Sequence, residues 1–441
     1  MTDRLRFPDG LLWGAATSAY QIEGAVDEDG RGVSIWDTFS AIPGKVRNGD
    51  SGRPGVDHYH RLTEDLDLMA SLGLQSYRFS IAWPRVQPTG SGPVNRPGLD
   101  FYRRLVDGLH ERGIRPMATL FHWDLPQALQ DIGGWENRDV AHRFADYAQL
   151  MFEALEVRDW LTINEPKTVV EAGYQQGVHA PGIRDMRRSF VALHHLLLAH
   201  GLAAQALHAA GGERRIGPAL NLSPVYPVDD DPATAAAAWH RDGVENRLYL
   251  DPVFRGRYPE DILTWAVERH GMPPEVIRDG DLAIIAEPID LLGVQYYNPV
   301  HVNAAGEREF RYPTSVAFWQ EIYPEGFHDI LLRLHRDYRR VPLIITENGR
   351  PAADEVAADG RVHDAERIAY LRDHLAAMHR ALAAGVDIEA YHVWSLFDNF
   401  EWAEGYAQRW GIVYVDYADQ RRVLKDSALW YRDVIKNNAL D

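Results

Sequence analysis

The chain contains no cysteine among its 441 residues. Disulfide bonds, thiolate metal sites, iron–sulfur clusters and cysteine nucleophiles are therefore excluded. No run of about 18 apolar residues occurs, and the first ten residues, MTDRLRFPDG, lack the apolar core of a signal peptide. The nearest apolar stretch, residues 196–212, is interrupted by His200, Gln205 and His208. We therefore expect a soluble, cytoplasmic protein with no membrane segment.

An excess of basic residues is also missing. Lys and Arg number 46 against 64 Asp and Glu, which gives a formal net charge of −18. The basic residues are dispersed among acidic ones, whereas binding of nucleic acid requires a basic surface. The charge pattern argues against a nucleic-acid partner and favours a small substrate. It does not determine the oligomeric state.

Eight short apolar runs alternate with longer segments of helical periodicity. The runs are residues 11–18, 76–83, 115–123, 160–166, 215–224, 291–299, 341–349 and 388–400, and the clearest helical segments are 61–73, 99–113, 137–156 and 364–385. The runs are apolar throughout, as in parallel strands that are buried on both faces. The pattern predicts an α/β fold, a single eight-stranded parallel β/α (TIM) barrel, with residues 1–441 forming one domain.

Polar side chains gather at the carboxyl ends of the predicted strands, where the active site of such a barrel lies. They are Gln21, Arg78, His122, Trp123, Asn164, Glu165, Gln295, Tyr297, Glu347 and Trp394, with Glu401 and Trp402 shortly beyond the last strand. The strand ends converge on one mouth, so these residues form a candidate site. The alternative is a set of unrelated hydrophilic loop starts.

Two of these residues are glutamates that end apolar strands, Glu165 in WLTINEP and Glu347 in VPLIITENG. Two carboxyl groups with aromatic rings around them suggest glycoside hydrolysis, in which one carboxyl is protonated and the other ionised. The apolar run before Glu165 indicates burial, which raises the pKa of a carboxyl group. Arg78 and Tyr297 are the candidates that would keep Glu347 ionised.

Long motifs from about residue 7 to about residue 436 resemble, in the same order, those of the first glycoside hydrolase family, that of the β-glucosidases. They are LLWGAATSAYQIEGA, SIWDTF, YRFSIAWPR, HWDLPQAL, TINEP, APG, DPVFRGRYPE, YYNP, ITENG, WSLFDNFEWAEGY and GIVYVD. The resemblance implies an eight-stranded β/α barrel and retaining hydrolysis of β-glycosides, with neither metal nor cofactor.

The resemblance also implies a role for individual residues. Glu165 would be the acid/base, Glu347 the nucleophile, Tyr297 its hydrogen-bond donor and Arg78 its neighbouring cation. The residues that match those holding the hydroxyls of the non-reducing sugar are Gln21, His122, Trp123, Asn164, Glu401 and Trp402, and Trp394 matches the aromatic floor. A carboxylate at Glu401 would repel a phosphorylated sugar.

Three positions depart from the family pattern outside the leaving-group side. Gln295 stands where Asn is usual, which is expected to shift a contact with the sugar's second hydroxyl. Trp410 replaces a usual Phe and narrows the space at the end of the sugar. Leu248 takes the place of a common Trp.

Two departures lie on the leaving-group side. Lys167 follows NEP where an aromatic residue is usual, and Gln320 replaces a Trp, with Trp319 one residue earlier. We expect weak, polar binding of varied leaving groups. A Lys167 ammonium close to Glu165 would lower the pKa of that carboxyl.

The sequence therefore predicts a β-glucosidase, with some β-galactosidase or β-fucosidase activity, acting on a small β-glycoside. Transglycosylation from the same intermediate is an alternative, and so is a sugar-binding barrel without catalysis, which would have lost a catalytic carboxylate. His58 with His60 and the adjacent His194 and His195 lack a carboxylate partner at metal-ligand spacing, so no metal site is predicted.

Overall fold

The structure of the protein, a computed structural model, describes residues 4–338 and 340–440. All eight predicted strands form, and they close a parallel barrel in chain order, with the last strand paired to the first. The strands are β1 Leu12–Ala16, β2 Ser76–Ser80, β3 Arg115–Phe121, β4 Asp159–Asn164, β5 Arg215–Asn221, β6 Leu292–Gln295, β7 Leu343–Asn348 and β8 Ile388–Trp394. The prediction of a β/α barrel is confirmed.

The barrel is packed on both faces of its sheet, which explains the lack of alternation in its strands. Met117, Leu161, Ala219, Ile344 and Ala390 come from five different strands and form a separate apolar cluster. Residues of strands placed around a barrel can meet in this way only inside it. A much larger cluster, which reaches from Phe7 to Leu440, packs the strands against the outer helices.

Helices cover the outside of the barrel, and the four segments with the clearest helical periodicity are all helical. The predicted segment 99–113 is the helix Arg96–Glu111, and Gly113 follows it with φ of 68°, a left-handed conformation that glycine adopts without strain. The α-helices are Ala19–Ile22, Ile35–Ser40, Leu62–Ser71, Trp83–Val86, Arg96–Glu111, Gln127–Asp131, Arg138–Ala154, Pro166–Val170, Met186–Ala210, Pro232–Asp242, Leu248–Arg255, Glu260–His270, Asp281–Ile285, Pro324–Asp337, Ala365–Ala383 and Asp426–Asn437.

Shorter elements shape the loops around the barrel. Two π-helical turns, Glu171–Gln175 and Gly243–Arg247, lie on the loops after β4 and β5. The 3₁₀ turns are Arg47–Gly49, Gly134–Glu136, Pro274–Val276 and Trp402–Glu404, and the strands outside the barrel are Leu5–Arg6 with Ala439–Leu440, Val225–Pro227 with Val300–Val302 and Arg308–Glu309, and Val413–Val415 with Arg422–Leu424.

The helix Met186–Ala210 is long and apolar enough to cross a membrane by length and composition alone. Its most apolar window is 78% buried inside the protein. The helix therefore packs against the rest of the protein along most of its length.

Candidate active site

A cavity of about 640 Å³ opens at the carboxyl ends of the barrel strands, a size that suits a small ligand. Eleven of the residues predicted for the site line it: His122, Trp123, Asn164, Glu165, Lys167, Tyr297, Glu347, Trp394, Glu401, Trp402 and Trp410. Arg78, Gln21 and Gln295 are fully buried and bond to residues of this wall. The predicted strand-end residues therefore surround one cavity.

Glu347 lies near the end of β7, where the pairing register with both neighbouring strands shifts. Such an irregularity re-aims the side chain beside it. Three donors meet the carboxylate: Arg78 Nη1 and Gln295 Nε2 approach Oε1 at 2.5 and 2.7 Å, and the Tyr297 hydroxyl donates to Oε2 at 2.6 Å. This arrangement favours the ionised form of Glu347.

The pKa of Glu347 reflects two opposing effects. Burial has the largest effect and holds this pKa above its ordinary value, although the Arg78 guanidinium and the hydrogen bond from Tyr297 lower it. Arg78 and Tyr297 therefore limit the rise that burial causes and extend the pH range in which Glu347 carries a negative charge.

Replacing Tyr297 with Phe is expected to raise the pKa of Glu347 and to move the acidic limb of kcat/KM to higher pH. The change removes a hydrogen bond to a charged group, so we expect kcat/KM to fall by about tenfold to a hundredfold. The pH profile of hydrolysis of a nitrophenyl β-glucoside measures both effects. Tyr296→Phe is the matched control, because the Tyr296 hydroxyl donates to the Tyr323 carbonyl instead. An acidic limb that stays in place in Tyr297→Phe would contradict the prediction.

Arg78 on β2 is held by groups from β3 and β4. Its Nε donates to Thr119 Oγ1 at 3.1 Å and its Nη2 to Asn164 Oδ1 at 2.5 Å. The guanidinium is fully buried, and a buried cation needs such partners. Sequence reasoning did not identify Thr119, although it lies on β3 beside Arg78, because only the register of the two strands brings them together.

Glu165 directly follows β4 and has φ of 46°, a left-handed conformation that is uncommon for a residue with a side chain. Pro166 then begins a short helix. On that helix the Thr168 hydroxyl donates to Glu165 Oε2 at 2.6 Å, and Asn221 Nδ2 from the end of β5 lies 3.5 Å from the same oxygen. Neither Thr168 nor Asn221 was predicted, although Asn221 ends a barrel strand as the predicted residues do.

Burial, followed by the negative charge of Glu347, raises the pKa of Glu165 to about 8. Thr168, Lys167 and Arg78 lower it by smaller amounts. Glu165 therefore keeps its proton at neutral pH, as a general acid must. Two carboxyl groups in one cavity thus differ in environment: Glu347 contacts a cation and two further donors, whereas Glu165 accepts from neutral groups.

Asn164 connects the groups around the two carboxyls. Its Oδ1 accepts hydrogen bonds from Arg78 and from Gln295, the second at 2.7 Å, and its Nδ2 donates to His122 Nε2 at 3.0 Å. The Trp123 indole donates to its backbone carbonyl at 2.9 Å. These contacts position Asn164 between β2, β3 and β6.

The opposite side of the cavity carries a third carboxyl, Glu401. Gln21 Nε2 lies 3.4 Å from its Oε2 and also donates to the Phe400 carbonyl at 2.9 Å. Burial, with the negative charges of Glu347 and Glu165, raises the pKa of Glu401 to about 8. A buried carboxyl group of this kind can both donate to and accept from sugar hydroxyls.

Aromatic rings complete this side of the cavity. The rings of Trp123 and Trp402 lie 4.5 Å apart, and Trp394 stacks on His122 at 5.9 Å. Trp410 packs edge-on against Tyr297 at 5.6 Å. Trp123 and Trp402 have positive φ angles of 81° and 50°. A left-handed backbone conformation therefore sets the direction of two of these side chains.

The structure changes the prediction for Gln295. Its Nε2 donates to both Glu347 and Asn164, each at 2.7 Å, and the residue is fully buried. Gln295 therefore positions two other residues and does not present that amide nitrogen to a sugar hydroxyl.

The prediction that Gln320 belongs to the leaving-group side is wrong. The side chain is fully buried, and its Nε2 donates to the Gly349 carbonyl at 2.7 Å. The two residues before it, Phe318 and Trp319, line the cavity. The buried Gly349 carbonyl needs a donor, which explains why the amide turns inward.

Lys167 does line the cavity, but its ammonium group forms an ion pair with a carboxylate other than Glu165. It lies 2.9 Å from Glu245 Oε2, and Arg241 contacts the second oxygen of the same carboxylate at 2.5 Å. Glu245 and Arg241 belong to the π-helical turn and the helix before it. The positive charge of Lys167 still lowers the pKa of Glu165, although burial and Glu347 have larger effects.

Replacing Lys167 with Met is expected to raise the pKa of Glu165 further, because a positive charge is removed. Activity is lost as pH rises through the pKa of the acid, so the alkaline limb of kcat/KM should move to higher pH. The pH profile measures the shift, and Lys436→Met, at an exposed lysine of the helix Asp426–Asn437, serves as the control. An unmoved limb would show that Glu165 does not sense this charge.

No cluster of three or more His, Asp or Glu side chains that could hold a metal ion occurs in residues 4–338 and 340–440. His194 donates to or accepts from Asp281 and Tyr258, and His195 faces the Trp135 carbonyl. These side chains are thus engaged with protein groups.

The chain is similar over its whole length to known glycosidases. The family model described as Glycosyl hydrolase family 1 matches residues 3–440. Thermostable beta-glucosidase B of Thermobispora bispora is 51% identical, over 99% of this chain and 92% of the relative, and a bifunctional beta-D-glucosidase/beta-D-fucosidase of Bifidobacterium breve is 43% identical, over 98% and 99%.

Solved structures agree with these relatives. The family 1 b-glucosidase from Thermotoga maritima superposes with a TM-score of 0.96 at 44% identity, over 100% of both chains. The same enzyme in complex with glucoimidazole gives a TM-score of 0.95 at 44% identity, over 99% of this chain and 100% of that one. The protein belongs to glycosyl hydrolase family 1.

Proposed function

We propose that the protein is a retaining β-glucosidase in which Glu347 is the nucleophile and Glu165 the acid/base. The observation that carries this proposal is the unequal environment of the two carboxyls in one cavity. Glu347 receives hydrogen bonds from Arg78, Gln295 and Tyr297, whereas burial raises the pKa of Glu165 to about 8. This difference matches the two roles that glycoside hydrolysis requires.

In the first step a carboxylate oxygen of Glu347 attacks the anomeric carbon of the bound glucoside. The bond from that carbon to the leaving-group oxygen breaks, and Glu165 gives this oxygen its proton. The products are a glycosyl ester on Glu347 and a free alcohol. Loss of the negative charge on Glu347 then lowers the pKa of Glu165, because the repulsion between the two carboxylates disappears.

In the second step Glu165, now ionised, accepts a proton from water as the water oxygen attacks the anomeric carbon. The ester bond breaks, Glu347 regains its negative charge, and glucose leaves with the β configuration. The charge of Arg78 favours release of this carboxylate. An alcohol in place of water would give transglycosylation from the same intermediate.

The sugar is expected to bind between Glu401 and the aromatic rings around it. Glu401 with Gln21, and His122 with Trp123, offer polar groups to hydroxyls, and a buried polar group that loses its partner costs more than a lost apolar contact. This favours one arrangement of hydroxyls over its epimers. The fucosidase activity in the name of the Bifidobacterium breve relative makes a β-D-fucoside, which lacks the 6-hydroxyl and is the C4 epimer, a second candidate that tests this selectivity. Cellobiose is the natural disaccharide to test.

Product stereochemistry tests the proposal directly. Proton NMR during early hydrolysis of a nitrophenyl β-glucoside should show β-glucose first, with the α anomer appearing only as the sugar mutarotates. Alcohol added to the reaction should give an alkyl β-glucoside. Initial formation of α-glucose would rule out a retaining mechanism, and no hydrolysis would favour a sugar-binding barrel without catalysis.

A further inference from the structure

A second cavity, of about 550 Å³, lies beside the active site. One side is formed by the helix Met186–Ala210, and the other by the loops that carry the two π-helical turns, Glu171–Gln175 and Gly243–Arg247. Such turns insert an extra residue into a helix and often occur at functional sites. The cavity is large enough for a small molecule or part of one.

The lining of this cavity is mainly apolar. Its apolar lining residues include Phe190 and Leu193 from the long helix, together with Leu248 and Trp265. The Trp265 ring lies edge-on to Phe190 at 5.9 Å and to His240 at 5.1 Å. A cavity with such walls favours an uncharged, apolar ligand, because burial of apolar surface is its main source of affinity.

The second cavity adjoins the active-site cavity. Glu171, Gln176 and Arg241 line both. Gln176 is exposed, and 39% of the Arg241 side chain is accessible. A flexible chain could therefore cross from one cavity to the other along the surface, without passing through the protein interior.

Two apolar side chains lie where the active-site cavity meets solvent. Phe318 and Val178 line it although they are 76% and 47% exposed. Val178 lies two residues after Gln176, at the boundary between the cavities. An apolar ligand leaving the reaction centre could thus contact Val178 beside the polar boundary that Glu171, Gln176 and Arg241 form.

We propose that the second cavity binds the aliphatic tail of the leaving group, so that the enzyme prefers β-glucosides of long-chain alcohols. The proposal rests on the proposed β-glucosidase function, since the glycosidic bond would lie between Glu165 and Glu347. The head of the leaving group would lie near Lys167, and its tail would cross between Gln176 and Arg241. The second cavity then acts as a specificity site and takes no part in the chemical steps.

A series of n-alkyl β-glucosides, from methyl to decyl and below their micelle-forming concentrations, tests this proposal. KM should change little for the shortest chains and then fall by about fourfold for each methylene that enters the cavity. The onset of the fall gives the chain length that spans the boundary. A KM that does not depend on chain length would overturn the proposal.

Filling the cavity should remove this dependence. Ala237 lines the cavity from the helix Pro232–Asp242, so Ala237→Phe should leave KM for decyl β-glucoside close to the value for butyl β-glucoside. Ala236→Phe is the matched control, because Ala236 is its exposed neighbour on the same helix. Leu248→Trp fills the same cavity from a second lining position.

A nitrophenyl β-glucoside has no tail, so all three variants should hydrolyse it as the unchanged protein does. This substrate separates the two proposals: if it is not hydrolysed, the proposed function fails, whereas hydrolysis without any effect of chain length overturns only the tail site. Chain-length dependence that persists in both Ala237→Phe and Leu248→Trp would place the tail elsewhere and overturn the assignment of this cavity.

Discussion

Replacing Glu347 with Gln is expected to lower kcat by a factor of about 10⁴ to 10⁶, as removal of a nucleophile does in other enzymes. The amide keeps the size of the side chain but cannot form the glycosyl ester. The Arg78 guanidinium also loses its carboxylate partner, which leaves a buried cation that is poorly compensated. Stopped and continuous assays with a nitrophenyl β-glucoside measure the loss.

Chemical rescue distinguishes a lost nucleophile from a damaged fold. Glu347→Ala leaves space in which azide can attack the anomeric carbon from the face that Glu347 occupied, so the product should be an α-glucosyl azide. Glu366→Gln, at a carboxylate whose side chain is 72% exposed, should retain full activity. Formation of the β-azide by Glu347→Ala would mean that Glu347 is not the nucleophile.

Replacing Glu165 with Ala should have an effect that depends on the leaving group. General acid catalysis contributes a factor of about 10² to 10⁴, so alkyl β-glucosides and cellobiose should lose that much in kcat/KM. A dinitrophenyl β-glucoside should lose little, because its leaving group departs without a proton. The alkaline limb near the pKa of Glu165 should vanish from the pH profile.

The same variant should accumulate the glycosyl intermediate, since no base then activates water. We expect a burst of dinitrophenol equal to the enzyme concentration, followed by slow turnover. Added azide should restore turnover and give a β-glucosyl azide as product. An equal loss for good and poor leaving groups would contradict the assignment of Glu165 as the acid.

The barrel could be predicted because its strands and helices follow simple periodicities. The run that contains Leu343–Asn348 is apolar throughout, which indicates burial on both faces of the strand without knowledge of its neighbours. The helix Arg96–Glu111 could be predicted from the helical period of its apolar residues. Local irregularities had no such signal. The register shifts before Glu347 and Asn164 and the π-helical turn Glu171–Gln175 depend on packing against neighbouring elements.

The site could be predicted wherever a functional residue ends a strand. Glu165 and Glu347 stood out in this way, and the parallel barrel brings them to one mouth. Residues that act through another side chain were missed. Thr119 is an example, because its role becomes visible only when its hydroxyl is seen to accept a hydrogen bond from the Arg78 guanidinium. Gln320 was wrongly assigned to the cavity, because a loop has no periodic pattern of apolar residues that would indicate which side chains face a cavity.

The remaining differences come from hydrogen bonding in three dimensions. Gln295 was expected to meet the sugar, but Glu347 and Asn164 both lie within reach of its amide. Lys167 was expected near Glu165, and its influence on that carboxyl is reduced by Glu245. Neither partner is adjacent in the chain, so only the fold could reveal the competition.

The left-handed backbone at Trp123, Glu165 and Trp402 has a consequence for directed evolution. Each such residue costs about 1–2 kcal/mol relative to glycine, which is appreciable against a net folding free energy of about 5–15 kcal/mol. At Trp123 and Trp402 the lost packing of a buried ring, about 3–5 kcal/mol, outweighs this gain. At Glu165, a buried carboxyl group, screening for heat resistance alone would reward glycine. Variants with improved thermotolerance from such a screen are expected to be inactive, unless turnover is selected at the same time.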